Sequence, residues 1–538
     1  MRRLIAVVVT AVLVVAGVLV WVLRGGGGAH ETAQRYLTAW QRGDYAAMRS
    51  LVADPATFTL ARTESDLGVA GRRLKLVKTS GRTAAFDAAL DLGGGRSWHY
   101  LGTLDLAKQS GHWRIAYSPA SYYPGVQQGQ RLRTVHAWPQ RAAVLDTQGT
   151  PLTGSPSGSV QQLSGQVLAA TAAQAKAIGP PYLQGDPIGT DGFEKQYEKR
   201  LAGRPGLTVQ IVDGQNHVVK AVQQFPGSPG RTLQTTIDPV VQHAAGQALA
   251  SVRKPASLVA LKPSTGEILA VANKPGGYNR ALLGQYPPGS TFKVITASAL
   301  VAGGLGTDSK VPCPATTTIN GRTFHNSKNE QFGTISLKLA FAYSCNTTFA
   351  DLAVSKLGGQ RLTRLAAQFG FGVPLITGLP AARAQLPAPA DDTMLAADAF
   401  GQGQVLTTPL NMASVAGAIA AGTWNSPRFV APADAAQAAD AGGNQVAAPR
   451  KLDPAVVKAL RSLMPAVVSE GTAKKVDFPS GTAGKTGTAE FGSGPNPPTH
   501  AWFIGYRGDL AFAVIVEGGG FGADVAAPIA AQFLKTLR

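Results

Sequence analysis

Residues 287–295, Pro-Pro-Gly-Ser-Thr-Phe-Lys-Val-Ile, combine residue types and a spacing that suit nucleophilic catalysis. The Pro-Pro-Gly run predicts a turn, and Ser290 follows it where serine commonly begins a helix. Residues three apart share one face of the helix predicted over 291–302, so the Ser290 hydroxyl can meet the Lys293 amine. Burial of Lys293 would lower its pKa and leave a neutral amine able to take the serine proton. We therefore predict a serine nucleophile activated by lysine.

A Ser-x-x-Lys pattern is short enough to arise by chance, so an ordinary helix cap is the alternative for Ser290. A second copy, 251–254, lies at the end of a predicted helix and runs directly into Pro255. A residue before proline is biased away from helical geometry, so that copy has no helix N-terminus to use. Other motifs in the chain are needed to distinguish a nucleophilic Ser290 from an ordinary helix cap.

Composition indicates a globular, basic chain that is suited to contact with an anionic surface or polymer. The 538 residues suffice for two to four domains, and 44% of them are hydrophobic. The formal net charge of +19 is spread along the sequence, with no zinc-ligand spacing and no concentrated Lys/Arg run. We therefore expect no nucleic-acid partner, and favour a membrane or an anionic cell-wall polymer.

The N-terminus predicts a membrane anchor. Residues 4–23 contain Thr10 as the only clearly polar side chain, which is long enough to cross a bilayer as a helix. Arg2 and Arg3 precede the segment and Arg24 alone follows it, so the positive-inside rule places the N-terminus in the cytoplasm and the rest outside. A cleaved signal peptide is the competing interpretation.

Cys313 and Cys345 are the only two cysteines of the chain. An oxidising compartment outside the membrane would allow them to form a disulfide. Two free buried thiols are the alternative.

Patterning predicts an α+β protein. A helical segment and several strand-like segments form a small first domain, and a mixed stretch without rich chemistry follows it. In the last region, strands at both ends enclose a mostly helical middle, which predicts one antiparallel sheet built from both ends with helices on its faces. The expected domains are the N-terminus and anchor (1–24), a glycine linker (25–28), a small α+β domain (29–122), a pedestal or dimerisation domain (123–230) and a catalytic domain (231–538).

Two further motifs follow Ser290 in the sequence, Ser344-Cys345-Asn346 and Lys485-Thr486-Gly487. The second is followed by Thr488 in a strand-compatible segment rich in small residues, which allow a peptide backbone to approach and pair with it. Its lysine and threonine side chains offer donors for a carboxylate.

These three motifs, in this order, are the signature of penicillin-binding proteins and serine β-lactamases. The chain resembles a class B penicillin-binding protein, a peptidoglycan D,D-transpeptidase, over 231–538. The segments 401–403 (Gly-Gln-Gly) and 408–413 (Thr-Pro-Leu-Asn-Met-Ala) look like further family motifs. Residues 29–122 resemble in pattern the NTF2-like domain of some members. The resemblance implies a serine transpeptidase/β-lactamase-like fold.

The resemblance also implies roles for the motif residues. Ser290 would attack the penultimate D-Ala carbonyl of a stem peptide, with Lys293 as base. Ser344 would relay a proton to the leaving amine, and Asn346 would bind the substrate amide. Lys485 would supply positive charge beside Ser344. The carboxylate would be held by the strand residues Thr486, Gly487 and Thr488, and the oxyanion by the backbone N–H groups of Ser290 and Thr488.

No metal or cofactor is expected, and stem peptides, β-lactams, the cytoplasmic membrane and a glycosyltransferase are the implied partners. A membrane-anchored serine β-lactamase is the nearest alternative, and a non-catalytic β-lactam-binding or structural partner in a cell-wall complex is another. A bifunctional enzyme with its own glycosyltransferase is disfavoured, because the glutamates between residues 24 and 231 lie in no glycan-transfer motif. Those glutamates are Glu31, Glu64, Glu194 and Glu198.

Overall fold

The computed structural model describes residues 28–494 and 496–537. The predicted membrane anchor, residues 4–23, lies outside these residues. Within the described part of the chain, no helix is long and apolar enough to cross a membrane.

The chain divides into two compact units. Of the described residues, one unit contains 28–141, Thr171–Gln184 and Ala202–Gly230, and the other contains Ala142–Ala170, Gly185–Leu201, 231–494 and 496–537. The stretch 123–230 is therefore shared between the units. The linear boundaries expected at residues 122 and 230 stay predictions.

A five-stranded antiparallel sheet forms the centre of the larger unit, and it is built from both ends of this region as predicted. All but one residue of strand Ala256–Lys262 are buried, because helices cover both of its faces. The strands follow one another across the sheet in the order Glu267–Lys274, Ala256–Lys262, Leu510–Val516, Thr499–Arg507 and Ala483–Glu490.

Helices lie on both faces of this sheet. Gly417 of helix Pro409–Ala421 packs against Leu261 and Ala511, whereas the ring of Phe512 packs against Phe533 of the C-terminal helix Ala526–Thr536. Successive strand residues point to opposite faces, so the two helices cover opposite sides. The α-helices of this unit are Gly158–Ser164, Gly192–Gln196, Glu198–Ala202, Pro239–Leu249, Arg280–Leu283, Lys293–Ala302, Leu337–Ala342, Asn346–Leu352, Gly359–Gln368, Asp392–Ala399, Pro409–Ala421, Pro432–Ala435, Pro454–Ser469 and Ala526–Thr536.

Several elements of this unit differ from the sequence prediction. The region after the Ser290 helix was expected to be mainly helical, but it begins with short antiparallel pairs. Each pair is only four residues long per strand and carries little periodicity, which is why patterning missed it. Helix Pro454–Ser469 was also missed. The short paired strands of the unit are Lys310–Cys313 with Gly333–Ser336, Thr316–Ile319 with Arg322–His325, Thr423–Trp424 with Arg450–Lys451, Val144–Leu145 with Leu233–Gln234, and Val167–Ala169 with Pro187–Gly189.

The smaller unit has a four-stranded antiparallel sheet and a three-stranded one. The buried face of helix Ala29–Arg42 packs on the first sheet, as its apolar spacing predicts. Helix Leu60–Leu67 was not predicted, and the NTF2-like assignment stays a prediction. The elements are helices Ala29–Arg42, Tyr45–Ser50, Leu60–Leu67 and Ala172–Ile178, and strands Gly71–Ser80, Thr83–Asp91, Ser97–Gln109, His112–Ile115, Arg131–Ala137, Gly206–Val212 and Val218–Phe225.

A buried carboxylate crosslinks the smaller unit. Glu64 is 2% exposed and accepts hydrogen bonds from Trp40 Nε1 (2.7 Å) and from the Tyr45 hydroxyl. Arg72 Nη2 lies 2.6 Å from its Oε2. Hydrogen bonds from two helices and an ion pair with the first strand therefore meet at this one carboxylate, and Glu64 has a structural role.

Replacing Arg72 by alanine is expected to lower the free energy of unfolding of this unit by about 3 kcal/mol, because the buried Glu64 carboxylate loses its counter-ion. Urea unfolding followed by tryptophan fluorescence measures the change. The control is Arg73→Ala, since Arg73 is the next residue of the same strand and is exposed. Equal effects of the two substitutions would contradict the assignment.

Candidate active site

The candidate nucleophile lies in a tight turn ahead of its helix. Gly289–Phe292 forms a 3-10 turn, and the α-helix Lys293–Ala302 continues from it. Gly289 has φ +53°, and a Cβ there would lie 2.6 Å from the Thr488 carbonyl oxygen. Glycine is therefore required, because it allows both the left-handed conformation and the close approach to the Lys-Thr-Gly strand.

The Lys293 ammonium is the centre of the site. Lys293 is 0% exposed, and its Nζ lies 3.0 Å from Ser290 Oγ. It donates to Asn346 Oδ1 and to the Ser344 carbonyl oxygen, each at 2.6 Å. Burial, together with the nearby charge of Lys485, holds the pKa of Lys293 well below its usual value. The amine is therefore in position, and in a favourable protonation equilibrium, to accept the Ser290 proton.

Ser344 lies between two buried lysines. Its Oγ is 3.3 Å from Lys293 Nζ and 2.9 Å from Lys485 Nζ. Burial lowers the pKa of Lys485 to about 7. Ser344 has φ +62°, a conformation that is costly for a residue with a Cβ and is typical of functional sites. This backbone geometry directs the Ser344 carbonyl to Lys293 while its hydroxyl bridges the two amines.

Asn346 is held in place from both ends of its amide. Its Oδ1 lies 3.5 Å from Ser290 Oγ, and its Nδ2 donates to the His325 carbonyl oxygen at 3.0 Å. Cys345 forms a disulfide with Cys313. The segment that carries Ser344 and Asn346 is therefore fixed to the short strands on one side of the cleft.

The Lys-Thr-Gly strand, Ala483–Glu490, forms the other wall. It is the edge strand of the five-stranded sheet, so one side of its backbone has no strand partner. Thr486 Oγ1 lies 2.6 Å from Thr472 Oγ1, and Thr488 Oγ1 accepts from Gly522 N at 3.2 Å. An open edge beside a nucleophile is suited to pairing with an extended peptide.

Sequence reasoning missed the aromatic rings and the supporting loop around this site. The ring centres of Phe349 and Phe400 lie 5.6 and 6.0 Å from Lys293 Nζ, and the ring centre of Phe341 lies 5.6 Å from Lys485 Nζ. These rings exclude water and stabilise the ammonium forms only weakly. These phenylalanines are far from the lysines in the sequence, so no sequence pattern predicted that they would be neighbours.

Asp398, also missed, orders the Gly-Gln-Gly loop behind the nucleophile. Its Oδ1 accepts from Gln404 N at 2.8 Å, and burial raises its pKa to about 6. In the same loop the Gly401 carbonyl oxygen accepts from Gly289 N at 2.8 Å. The loop therefore holds the turn that carries Ser290. The Gly-Gln-Gly motif of the loop was the sequence feature from which its role could have been predicted.

All the candidate residues named from the sequence lie at this one site. The described residues include no group of three or more His, Cys, Asp or Glu side chains arranged to hold a metal ion. The chemistry that this geometry offers is proton transfer between a serine hydroxyl and a neutral amine, next to an open strand edge.

Comparison with known families identifies the same kind of site as the geometry does. Residues 256–535 match the penicillin binding protein transpeptidase domain, and residues 152–235 match the penicillin-binding protein dimerisation domain. The chain belongs to the penicillin-binding protein transpeptidase family. It is 35% identical over 358 residues to the peptidoglycan D,D-transpeptidase PbpA of Mycolicibacterium smegmatis, a match covering 56% of this chain and 71% of that protein.

Solved structures agree. Penicillin-binding protein A from M. tuberculosis, in a ceftriaxone acyl-enzyme complex, has a TM-score of 0.51 and 29% identity, covering 58% of this chain and 80% of that one. A chain from a peptidoglycan synthase complex that coordinates polymerization and crosslinking has a TM-score of 0.62 and 25% identity, covering 76% and 92%. The transpeptidase fold predicted from the three motifs is confirmed.

Gly487→Ala is expected to destabilise the larger unit by about 1–3 kcal/mol through overpacking. A Cβ at Gly487 would lie 2.8 Å from Thr291 Cγ2 and 2.9 Å from the Pro288 carbonyl oxygen. Thermal unfolding measures the change. Gly246→Ala is the matched control, because a Cβ there meets nothing within 4 Å in helix Pro239–Leu249 and should stabilise the protein slightly. The prediction is wrong if both substitutions shift stability in the same direction.

Proposed function

We propose that this protein is a peptidoglycan D,D-transpeptidase that crosslinks stem peptides through an acyl-enzyme on Ser290. The observation that carries the proposal is the fully buried Lys293 amine, 3.0 Å from Ser290 Oγ and held by Asn346. The relatives named as D,D-transpeptidases and the acyl-enzyme complex of a structural neighbour support it.

Acylation is the first half of the proposed reaction. Neutral Lys293 takes the Ser290 proton as Oγ attacks the carbonyl carbon of the penultimate D-Ala. The negative charge that develops on the carbonyl oxygen is stabilised by the backbone N–H groups of Ser290 and Thr488. The tetrahedral intermediate collapses, the C–N bond breaks, and the terminal D-Ala leaves after its amine receives the proton through Ser344 Oγ.

Deacylation completes the crosslink. The amine of a second stem peptide attacks the ester carbonyl and loses a proton to the same base. The C–O bond to Ser290 breaks, and the base returns that proton to Ser290 Oγ. The substrate amide is bound by Asn346, and the terminal carboxylate by Thr486 and Thr488 beside the positive charge of Lys485. Gly487 keeps this part of the strand closely packed beneath the peptide. A β-lactam would acylate Ser290 in the same way.

The proposed setting is the outer face of the cytoplasmic membrane. Residues 4–23 would anchor the chain with its N-terminus in the cytoplasm and its catalytic domain outside, where the Cys313–Cys345 disulfide is stable. A glycosyltransferase is the proposed partner, and the structural neighbour from a peptidoglycan synthase complex supports it.

The first experiment is to incubate the protein with penicillin and follow its intact mass. We expect one covalent adduct per chain that persists for hours and is lost in Ser290→Ala. Ser251→Ala is the matched control, because it removes the serine of the other Ser-x-x-Lys pattern and should leave the adduct intact. A normal adduct in Ser290→Ala would disprove the nucleophile assignment.

The same measurement separates the alternatives. A serine β-lactamase would clear the adduct while destroying penicillin over many turnovers. A purely structural partner would form no adduct. A cell in which Ser290→Ala behaves like the deletion would also rule out the structural alternative.

Lys485→Met is expected to move the acid limb of the acylation rate to higher pH. The charge of Lys485 lowers the Lys293 pKa, so its loss raises that pKa, and a higher pH is then needed to keep Lys293 neutral. The effect should be confined to pH values below about 7, where Lys485 is charged. Penicillin acylation rates measured from pH 5 to pH 9 test this.

The control Lys485→Arg keeps the charge and should keep the acid limb in place, even if its overall rate falls. A uniform loss of rate at every pH in Lys485→Met would argue against electrostatic coupling of the two lysines.

A further inference from the structure

Two segments that the catalytic motifs do not include meet next to the walls that carry Asn346 and Thr488. One is the polar turn Ser327–Asn329, and the other is the loop that contains Phe521. Lys328 Nζ lies 4.9 Å from the centre of the Phe521 ring. Both side chains are exposed, and Phe521 is 41% exposed. We call this pair the rim bridge.

The Lys328 side of the rim bridge is attached to the Asn346 wall. Asn326, buried just before the turn, donates from Nδ2 to the Pro314 and Glu330 carbonyl oxygens at 2.8 and 2.9 Å. Its Oδ1 accepts from Thr347 N at 3.1 Å. These bonds, together with the bond from Asn346 to the His325 carbonyl, fix the turn beside the residue assigned to the substrate amide.

The Phe521 side is attached to the Lys-Thr-Gly wall. Gly522 N donates to Thr488 Oγ1, and a Cβ on Gly522 would lie 2.2 Å from the Gly487 carbonyl oxygen. The Phe521 loop therefore lies directly on the strand at Thr488. The two walls are also joined by the Ser344 Oγ–Lys485 Nζ hydrogen bond of 2.9 Å. The rim bridge is a second link between them, beside the space that the proposed function gives to the donor peptide.

Lys328 is an unpaired cation in this position. Its ammonium faces an aromatic ring, and none of the ion pairs formed by the described residues includes it. Its backbone is in the left-handed conformation, with φ +52°. A cation–π contact at an exposed site is weak and leaves the positive charge of the ammonium in place.

We propose that Lys328 is a specificity residue that binds a carboxylate on the acyl-donor peptide, upstream of the scissile bond, with Phe521 holding the ammonium over the peptide's path. This inference rests on the proposed function, because that function places the donor peptide between Asn346 and Thr488. The terminal carboxylate of the donor binds at Thr486 and Thr488, so the carboxylate read by Lys328 is a second one.

The test compares two synthetic donor peptides that end in D-Ala-D-Ala and differ at one upstream residue, which carries either a carboxylate or the matching amide. Release of D-Ala by the whole protein gives kcat/KM for each. The native protein should prefer the carboxylate peptide by about two- to fivefold, the range expected for a partly exposed ion pair. The preference should shrink as ionic strength rises.

Substitutions assign the effect to one residue. Lys328→Gln should abolish the preference, Lys328→Glu should reverse it, and Lys328→Arg should keep it. Phe521→Leu should reduce it by freeing the ammonium. Lys356→Gln removes an exposed positive charge elsewhere in the same unit and is the control for net charge.

Penicillin acylation of Ser290, measured on each protein, tests the proposed function separately from the rim-bridge inference. Acylation with no carboxylate preference, or with a preference that survives in Lys328→Gln, overturns the rim-bridge inference alone. A native protein with neither penicillin acylation nor D-Ala release from either peptide overturns the proposed function.

Discussion

Two lysine side chains are buried within reach of one serine hydroxyl, and no carboxylate of the described residues is among their hydrogen-bond partners. Both Lys293 and Lys485 are 0% exposed, and Ser344 Oγ lies within 3.3 Å of each. Removing a charge from water without a counter-ion is costly, and proteins relieve the cost by shifting the pKa toward the neutral form. The chemistry of the site is a consequence of this arrangement, because a neutral amine at working pH is what serine activation requires.

The rest of the larger unit stabilises the two buried lysines and offsets the free-energy cost of removing them from water. The apolar strands at the centre of the sheet and the helices on its two faces supply the buried surface. Local constraints then hold each polar atom in place. Gly289 approaches the Thr488 carbonyl, Ser344 accepts a left-handed backbone, and the disulfide fixes Cys345 between Ser344 and Asn346. Strain of this kind persists only where surrounding structure determines the geometry.

The sequence predicted the parts of this site that depend on local spacing. Ser290 and Lys293 are one helical turn apart, and the two-ended sheet follows from alternating apolar strands at each end of the region. Patterning failed where geometry is set by distant residues. The short strands near Cys313 lack periodicity, and the rings of Phe349 and Phe400 are adjacent to Lys293 only in three dimensions. Asp398, a polar residue inside a helix, could not be read as the support of a distant turn.

The missing counter-charge also links substrate binding to the protonation state of Lys293 in the proposed reaction. A carboxylate bound at Thr486 and Thr488 lies on the same strand as Lys485 and favours its charged form. A charged Lys485 lowers the pKa of Lys293, so it favours the neutral amine beside Ser290. Because Lys485 by itself has a pKa of about 7, it is only partly charged in the empty site at neutral pH. A donor with a terminal carboxylate would thus increase the fraction of Lys293 that is neutral, and a peptide that lacks one would meet less neutral amine beside Ser290.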